Sequence, residues 1–188
     1  MSEARLHANS LRDEADKLLK HTGLFELLGK FGEVDLGGSY KYDLMVDRDL
    51  DFGVNIREMT PKLRAEIAQL FAAHEWTYGM TINDRINFKP LSNLQAPLGL
   101  FLGLTIPFPE NRWNIDVWFV IQDKFVDDEI TKLINSASQD QRDIILQIKY
   151  DLLQRGLKQK GMTSAEVYKA VLVNDIKTTE EFLQNNNG

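Results

Sequence analysis

The chain has 188 residues, 43% of them hydrophobic and 27% charged, with a net charge of −6 and no cysteine. That is apolar material for one globular domain with a small helical appendage, and it excludes disulfides, thiolate nucleophiles and Cys-ligated zinc. The acidic balance also disfavours a long nucleic acid as partner, because gripping many phosphates draws on a basic face.

The N-terminal stretch MSEARLHANSLRDEADKLL is charged and has no apolar signal segment. Residues 9–31 read as helix, with Leu11, Ala15, Leu18, Leu19, Phe25 and Leu28 at helical spacing and a break near Thr22-Gly23. A short strand or turn is expected at Glu33–Leu36, then a Gly37-Gly38-Ser39 turn and a strand over 49–56. Thr60-Pro61 opens the next helix as N-cap and N1. It is expected to run to His74 and to bury Leu63, Ile67, Leu70 and Phe71. Strands follow at 76–89, 98–107 and 113–121. The longest apolar run, APLGLFLGLTIPF, is too short for a bilayer and is broken by Gly and Pro. A cytoplasmic protein with no membrane partner is the expectation.

From 126 onward the pattern is helical. DQRDIILQIKYDLLQRGLKQKG is amphipathic and ends at Gly161. Arg155, Lys158 and Lys160 cluster at that end, where cations suit the helix dipole. Thr163 with Glu166, and Thr178 with Glu181, form capping boxes for two more helices. The tail LQNNNG is polar and expected to fray. The fold class expected is α+β, a small mixed or antiparallel sheet with flanking helices and a helical C-terminal extension. The expected division is a core over 1–125, including the N-terminal helix, and a helical region over 126–188.

Two stretches carry chemistry. In LGGSYKYDLMVDRDLDFGV, residues 36–54, Asp49 and Asp51 alternate with Leu50 and Phe52. Residues two apart share a strand face, so the two carboxylates stand side by side and call for a positive partner. Asp47 shares their parity, but Arg48 follows it where an apolar residue is wanted, so the pair 49/51 ranks above 47/49. In RWNIDVWFVI, residues 112–121, both faces are largely apolar, so the strand is central. Asp116 is then a carboxylate inside it, needing a cation, a proton or an Arg or Lys partner such as Arg85, Lys89 or Arg112. Three strand carboxylates beside a glycine-rich turn suit Mg²⁺ carrying a triphosphate, because Mg²⁺ takes oxygen ligands and glycine lets backbone N–H groups approach phosphate.

Gly38-Ser39, nine residues, Asp49-Leu50-Asp51-Phe52 and a later Ile115-Asp116-Val117 resemble the signature of the nucleotidyltransferase superfamily typified by DNA polymerase β. That superfamily includes antibiotic nucleotidyltransferases, CCA-adding enzymes and protein AMP-transferring enzymes. The resemblance covers residues 34–121 and implies a polymerase-β-like fold. It implies that Asp49 and Asp51 bind nucleotide-associated Mg²⁺, with Asp116 completing a second metal site or taking the acceptor proton. Gly38 and Ser39 would hold the β- or γ-phosphate. An acceptor oxygen would attack the α-phosphorus of a nucleoside triphosphate, ATP among the candidates, and release pyrophosphate. Acidity and small size point to a small-molecule acceptor, antibiotic-like or a metabolite. The alternatives are a protein hydroxyl as acceptor, or a nucleotide-binding, antitoxin-like interaction module. Relatives that build the acceptor site from two subunits make a homodimer an option.

Lys41, Arg48 and Arg85 are further candidates for binding the nucleotide's phosphates, since an anionic ligand needs compensating charge. Arg112 is open to the same reading. Trp113 and Trp118 could stack on a ring, with core packing the alternative. His7, His21 and His74 show no metal spacing and receive no role.

Overall fold

The computed structural model describes residues 2–86, 98–121, 129–157 and 162–186. The chain divides into two compact units, neither of them continuous in sequence: residues 14–40 with 48–126, and residues 1–13 with 41–47 and 127–188.

The first unit is built on a five-stranded mixed sheet in the order β1-β2-β5-β4-β3. Its strands are β1 (Glu33–Leu36), β2 (Asp49–Ile56), β3 (Gly79–Asp84), β4 (Gly99–Pro107) and β5 (Arg112–Ile121). β2 and β5 run parallel and the other pairs antiparallel. Period-2 alternation makes one face the core: Leu50, Phe52, Val54, Ile115, Val117 and Phe119 are all buried. On that side Phe25 of α2 (Leu24–Gly29) meets Phe52 edge-on, and Phe31 meets Phe119. Helix α4 (Pro61–Ala72) buries Ile67 and Phe71. It starts as its sequence dictates, with the Thr60 hydroxyl accepting from Leu63 N–H at 3.1 Å and Pro61 at N1.

The other sheet face is different. β5 is central, as expected, but this face is not closed: Asn114 is exposed, and Asp116 and Trp118 are half-buried. β3 is shorter than the expected 76–89. It stops at Asp84, whose carboxylate takes Arg64 of α4 at 2.8 Å, and residues 87–89 lie outside the described residues.

The second unit is helical. It contains the start of α1 (Glu3–Thr22), the end of the short α3 (Gly38–Lys41), α5 (Glu129–Ser136), α6 (Gln139–Gln154), α7 (Ser164–Leu172) and α8 (Thr179–Asn186). Its core joins Ala4 and Ala8 to Leu44, Val46, Ile145, Ile148, Leu152, Val167, Val171 and Phe182. The Thr163–Glu166 capping box is present at α7. At α8, Thr178 Oγ accepts from Glu181 N–H, while the Glu181 carboxylate accepts from the N–H of Lys177. Helix α6 ends at Gln154 rather than Gly161, with Gly156 at φ +65° just beyond it. Lys158, Lys160 and Gly161 lie outside the described residues.

Candidate active site

Asp49 and Asp51 open β2, with their side chains on the face opposite buried Leu50 and Phe52. The strand begins at Asp49, so Asp47 stands before it and the parity of 49 and 51 holds. The parallel register then places Asp51 directly opposite Asp116 of β5, and Asp49 opposite Asn114. Asp51 and Asp116, 65 positions apart in sequence, thus face each other only because β2 and β5 are neighbours.

The Asp116 carboxyl is pushed above its ordinary range, first by burial and then by the Asp51 charge beside it. Among the described residues no ion pair reaches Asp116. Arg112 instead lies over the Tyr78 ring, 4.7 Å from its centre, and Lys89 lies outside the described residues.

The glycine turn abuts this pair. Gly37 N–H donates to the Asp51 carbonyl at 2.8 Å, extending the β1–β2 ladder. Gly38 follows at φ +59°, and a Cβ there would overlap the Asp51 carboxylate. Only glycine lets the chain take this conformation and lie this close. Ser39 is half-buried in α3, and Lys41, the last residue of α3, is exposed.

Arg48 is engaged elsewhere. Its Nε and Nη2 donate to the two carboxylate oxygens of Glu14 at 2.8 and 2.9 Å, and Trp113 Nε1 donates to the same carboxylate at 2.9 Å. The Arg48 hydrogen bonds hold Glu14 below the usual carboxylate range against the cost of burial, and Arg48 is raised in turn. Arg48 also accepts through its carbonyl from Asn114 N–H, at 2.9 Å, which locks the head of β2 to β5. Trp113 is a buried core residue, as its alternative reading had it.

Arg85 follows β3 in a turn. Its N–H donates to Gly99 O at 3.0 Å, and its guanidinium lies 5.9 Å from the centre of the Trp118 ring. Trp118 packs on Phe101 with ring centres 5.0 Å apart. Nothing in the sequence sets apart Gly103, the β4 partner of Asp116; only its register with Asp116 marks it.

The donor set suits a hard cation that keeps much of its own shell. Among the described residues no three acidic or histidine side chains converge on one point, so the three aspartates are not a preformed cage. Mg²⁺ asks for none: it is held by one or two carboxylates together with waters and substrate phosphates. The facing Asp51 and Asp116, with Gly38 pressed against one of them, fit that mode.

No family model matches the sequence and no curated protein matches it. Solved structures do. The polymerase core of TRAMP, an RNA surveillance complex, aligns over 89% of this chain and 47% of its own, at 15% identity and a TM-score of 0.53. The Cid1 poly(U) polymerase bound to Mg and 3′-dATP aligns over 91% of this chain and 54% of its own, at 15% identity and a TM-score of 0.58. The non-canonical poly(A) polymerase complex GLD-2–GLD-3 aligns over 91% of this chain and 58% of its own, at 11% identity and a TM-score of 0.54. The chain therefore has the polymerase-β-like nucleotidyltransferase fold expected from its motifs, and it spans about half the length of these structures. No described helix is long and apolar enough to cross a membrane.

Proposed function

We propose that the chain is an Mg²⁺-dependent nucleotidyltransferase that moves a nucleoside monophosphate from a nucleoside triphosphate to a hydroxyl, releasing pyrophosphate. The observation that carries this reading is the register of Asp51 against Asp116 with Gly38 packed on the Asp51 carboxylate. Two like charges brought together by adjacent strands cost stability, a cost that a bound cation offsets.

Asp49 and Asp51 are the residues proposed to hold Mg²⁺ with the triphosphate, and Asp116 the one to complete the site. When bound, Mg²⁺ supplies charge neutralisation to the phosphates. Backbone N–H groups of the Gly37-Gly38-Ser39 turn and the Ser39 hydroxyl orient the β- or γ-phosphate, with Lys41 as a further cation. The acceptor oxygen bonds to the α-phosphorus as the bond to the pyrophosphate oxygen breaks. A carboxylate oxygen of Asp116, on the strand next to Asp51, takes the hydroxyl proton.

The net charge of −6 favours a small-molecule acceptor. The likeness in fold to a poly(U) polymerase and a poly(A) polymerase favours a second reading, an RNA 3′ hydroxyl. Incubation with each nucleoside triphosphate, Mg²⁺ and a panel of hydroxylated metabolites, aminoglycosides, lincosamides and short RNAs, followed by mass spectrometry, separates them. A gain of one nucleotide residue on a metabolite or antibiotic is expected. Asp49→Asn and Asp51→Asn should abolish it while the circular dichroism spectrum stays that of the parent. Near-parent turnover in either variant, or no pyrophosphate from any pair, overturns the proposal.

A further inference from the structure

The strand order separates two sides of Asp116. The Gly37-Gly38-Ser39 turn follows β1 and lies against Asp51 of β2, to one side of β5. β4 and the end of β3, with Gly103, Phe101 and Arg85, lie to the other. Neighbouring strands are ~4.8 Å apart, so β2 and β4 stand ~10 Å from each other across Asp116. A triphosphate seated at the turn therefore leaves the β4 side for the second substrate.

On that side Asp116 and Trp118 are half-buried, and the side carries a held cation. At Gly103 a Cβ would stand 3.9 Å from Asp116 Oδ1 and 3.1 Å from the Phe101 ring, so any side chain there would narrow the approach to the carboxylate. Trp118 is two residues beyond Asp116 on the same face, ~6.6 Å along the strand. The Arg85 guanidinium rests over the Trp118 ring at 5.9 Å, and Phe101 backs that ring. A cation–π contact uses the flat face of a guanidinium and leaves its N–H donors pointing outward in the plane. Arg85 forms no ion pair among the described residues, in contrast to Arg48 and Arg64, whose charges are met by Glu14 and Asp84.

We infer that this side is the acceptor subsite, and that Arg85 selects an acceptor bearing an anionic group, a phosphate or a carboxylate, beside its reactive hydroxyl. Trp118 and Phe101 are positioning residues that fix the plane of the guanidinium. Three aspartates line the neighbouring strands, so an anionic acceptor needs a cation of its own, and an uncharged one does not. The word acceptor rests on the nucleotidyltransferase reading; the anion site itself rests on the Arg85 geometry.

The test is calorimetric, on the full chain saturated with Mg²⁺ and α,β-methylene ATP. Ribose 5-phosphate and glycerate are titrated against ribose and glycerol. The parent should bind at least one anionic compound about tenfold or more tightly than its uncharged counterpart, and the phosphate and carboxylate arms identify which anion is read. Arg85→Gln should bring that pair within twofold, and Arg85→Lys should keep part of the preference. Trp118→Leu should weaken the anionic compound alone and raise its KM without changing the KM for the nucleotide. A parent with no preference, or Arg85→Gln with the full preference, overturns the inference. If α,β-methylene ATP itself fails to bind, the function proposed above fails. The same titrations on the free protein, followed by fluorescence quenching in parent and Trp118→Phe, then decide the Arg85 anion site separately.

Discussion

Gly38 shows how one residue can serve conformation and site together. It sits at φ +59° with no room for a Cβ beside the Asp51 carboxylate. Gly38→Ala should therefore cost about 1–3 kcal/mol in urea unfolding, from the left-handed backbone and the displaced carboxylate together. Nucleotide affinity measured by calorimetry should fall as well, because the residue displaced is one proposed to bind the metal. An Ala variant as stable as the parent would remove the argument. Asp116 makes the opposite prediction. Its carboxyl is raised by burial and by Asp51, so the fold favours the protonated form. The sign follows: this favourable contribution is complete below the unfolded pKa and is lost as pH rises through the raised folded value. At neutral pH the ionised group is a liability, so Asp116→Asn should melt higher than the parent, and the gap should close as the solution is acidified. A structural Asp116 paired with a buried cation would make Asn melt lower, and differential scanning calorimetry distinguishes the two while turnover falls by about 10²–10⁴.

At the scale of elements, the head of β2 depends on a contact far away in sequence. Glu14 of α1 takes both Arg48 and the Trp113 indole, tying the helix to the heads of β2 and β5. Arg48 holds the Glu14 pKa down, so the pair stabilises the fold above the unfolded carboxylate pKa and is lost as pH falls through the depressed folded value. Glu14→Gln should lower stability by about 1 kcal/mol at pH 7, the pair being partly exposed, and the difference should vanish under acid conditions. Melting temperature against pH for both proteins checks it; a constant difference would sink the linkage. None of this is visible in the sequence, where Arg48 reads as a loop cation near a triphosphate. What is visible is local: the period-2 runs of β2, β4 and β5, the Thr60-Pro61 start, the Thr163–Glu166 box, and the shared parity of Asp49 and Asp51. What needs long-range pairing is not. The opposition of Asp51 to Asp116 requires knowing that β2 and β5 are parallel neighbours, and Gly103 gains meaning only from that register. Helix α1 begins at Glu3 rather than 9 because Ala4 and Ala8 continue the buried stripe of Leu11, and alanine is a weak periodic signal.

At the scale of the whole molecule, the chain passes between its two units at 13/14, 40/41, 47/48 and 126/127, so neither is a continuous stretch. The segment 41–47 shows why periodicity could not reveal this. It has no strand partner, yet Leu44, Met45 and Val46 are buried. Buried backbone carbonyls need donors, and here side chains supply them. Arg142 donates to the part-buried Tyr42 O at 3.1 Å, and Arg5 to the exposed Asp43 O at 3.1 Å. Lys149 donates to Leu44 O at 2.5 Å, and His7 Nε2 must carry the proton it gives to Val46 O at 2.9 Å. Lys149 is the most buried of the segment's donors at 2% exposure, and it also reaches the Tyr168 hydroxyl at 3.3 Å. Lys149→Ala removes a packed four-carbon stem and leaves the Leu44 carbonyl buried without this donor. The two losses should together cost about 2–4 kcal/mol in urea unfolding, beyond what relief of the buried charge returns. Hydrogen exchange should quicken in residues 42–46 before it does in β2, because the carbonyl contacts are local to that segment. A variant within about 0.5 kcal/mol of the parent, with 42–46 exchanging at the parent rate, would show that burial of Leu44 and Val46 alone holds the segment in place.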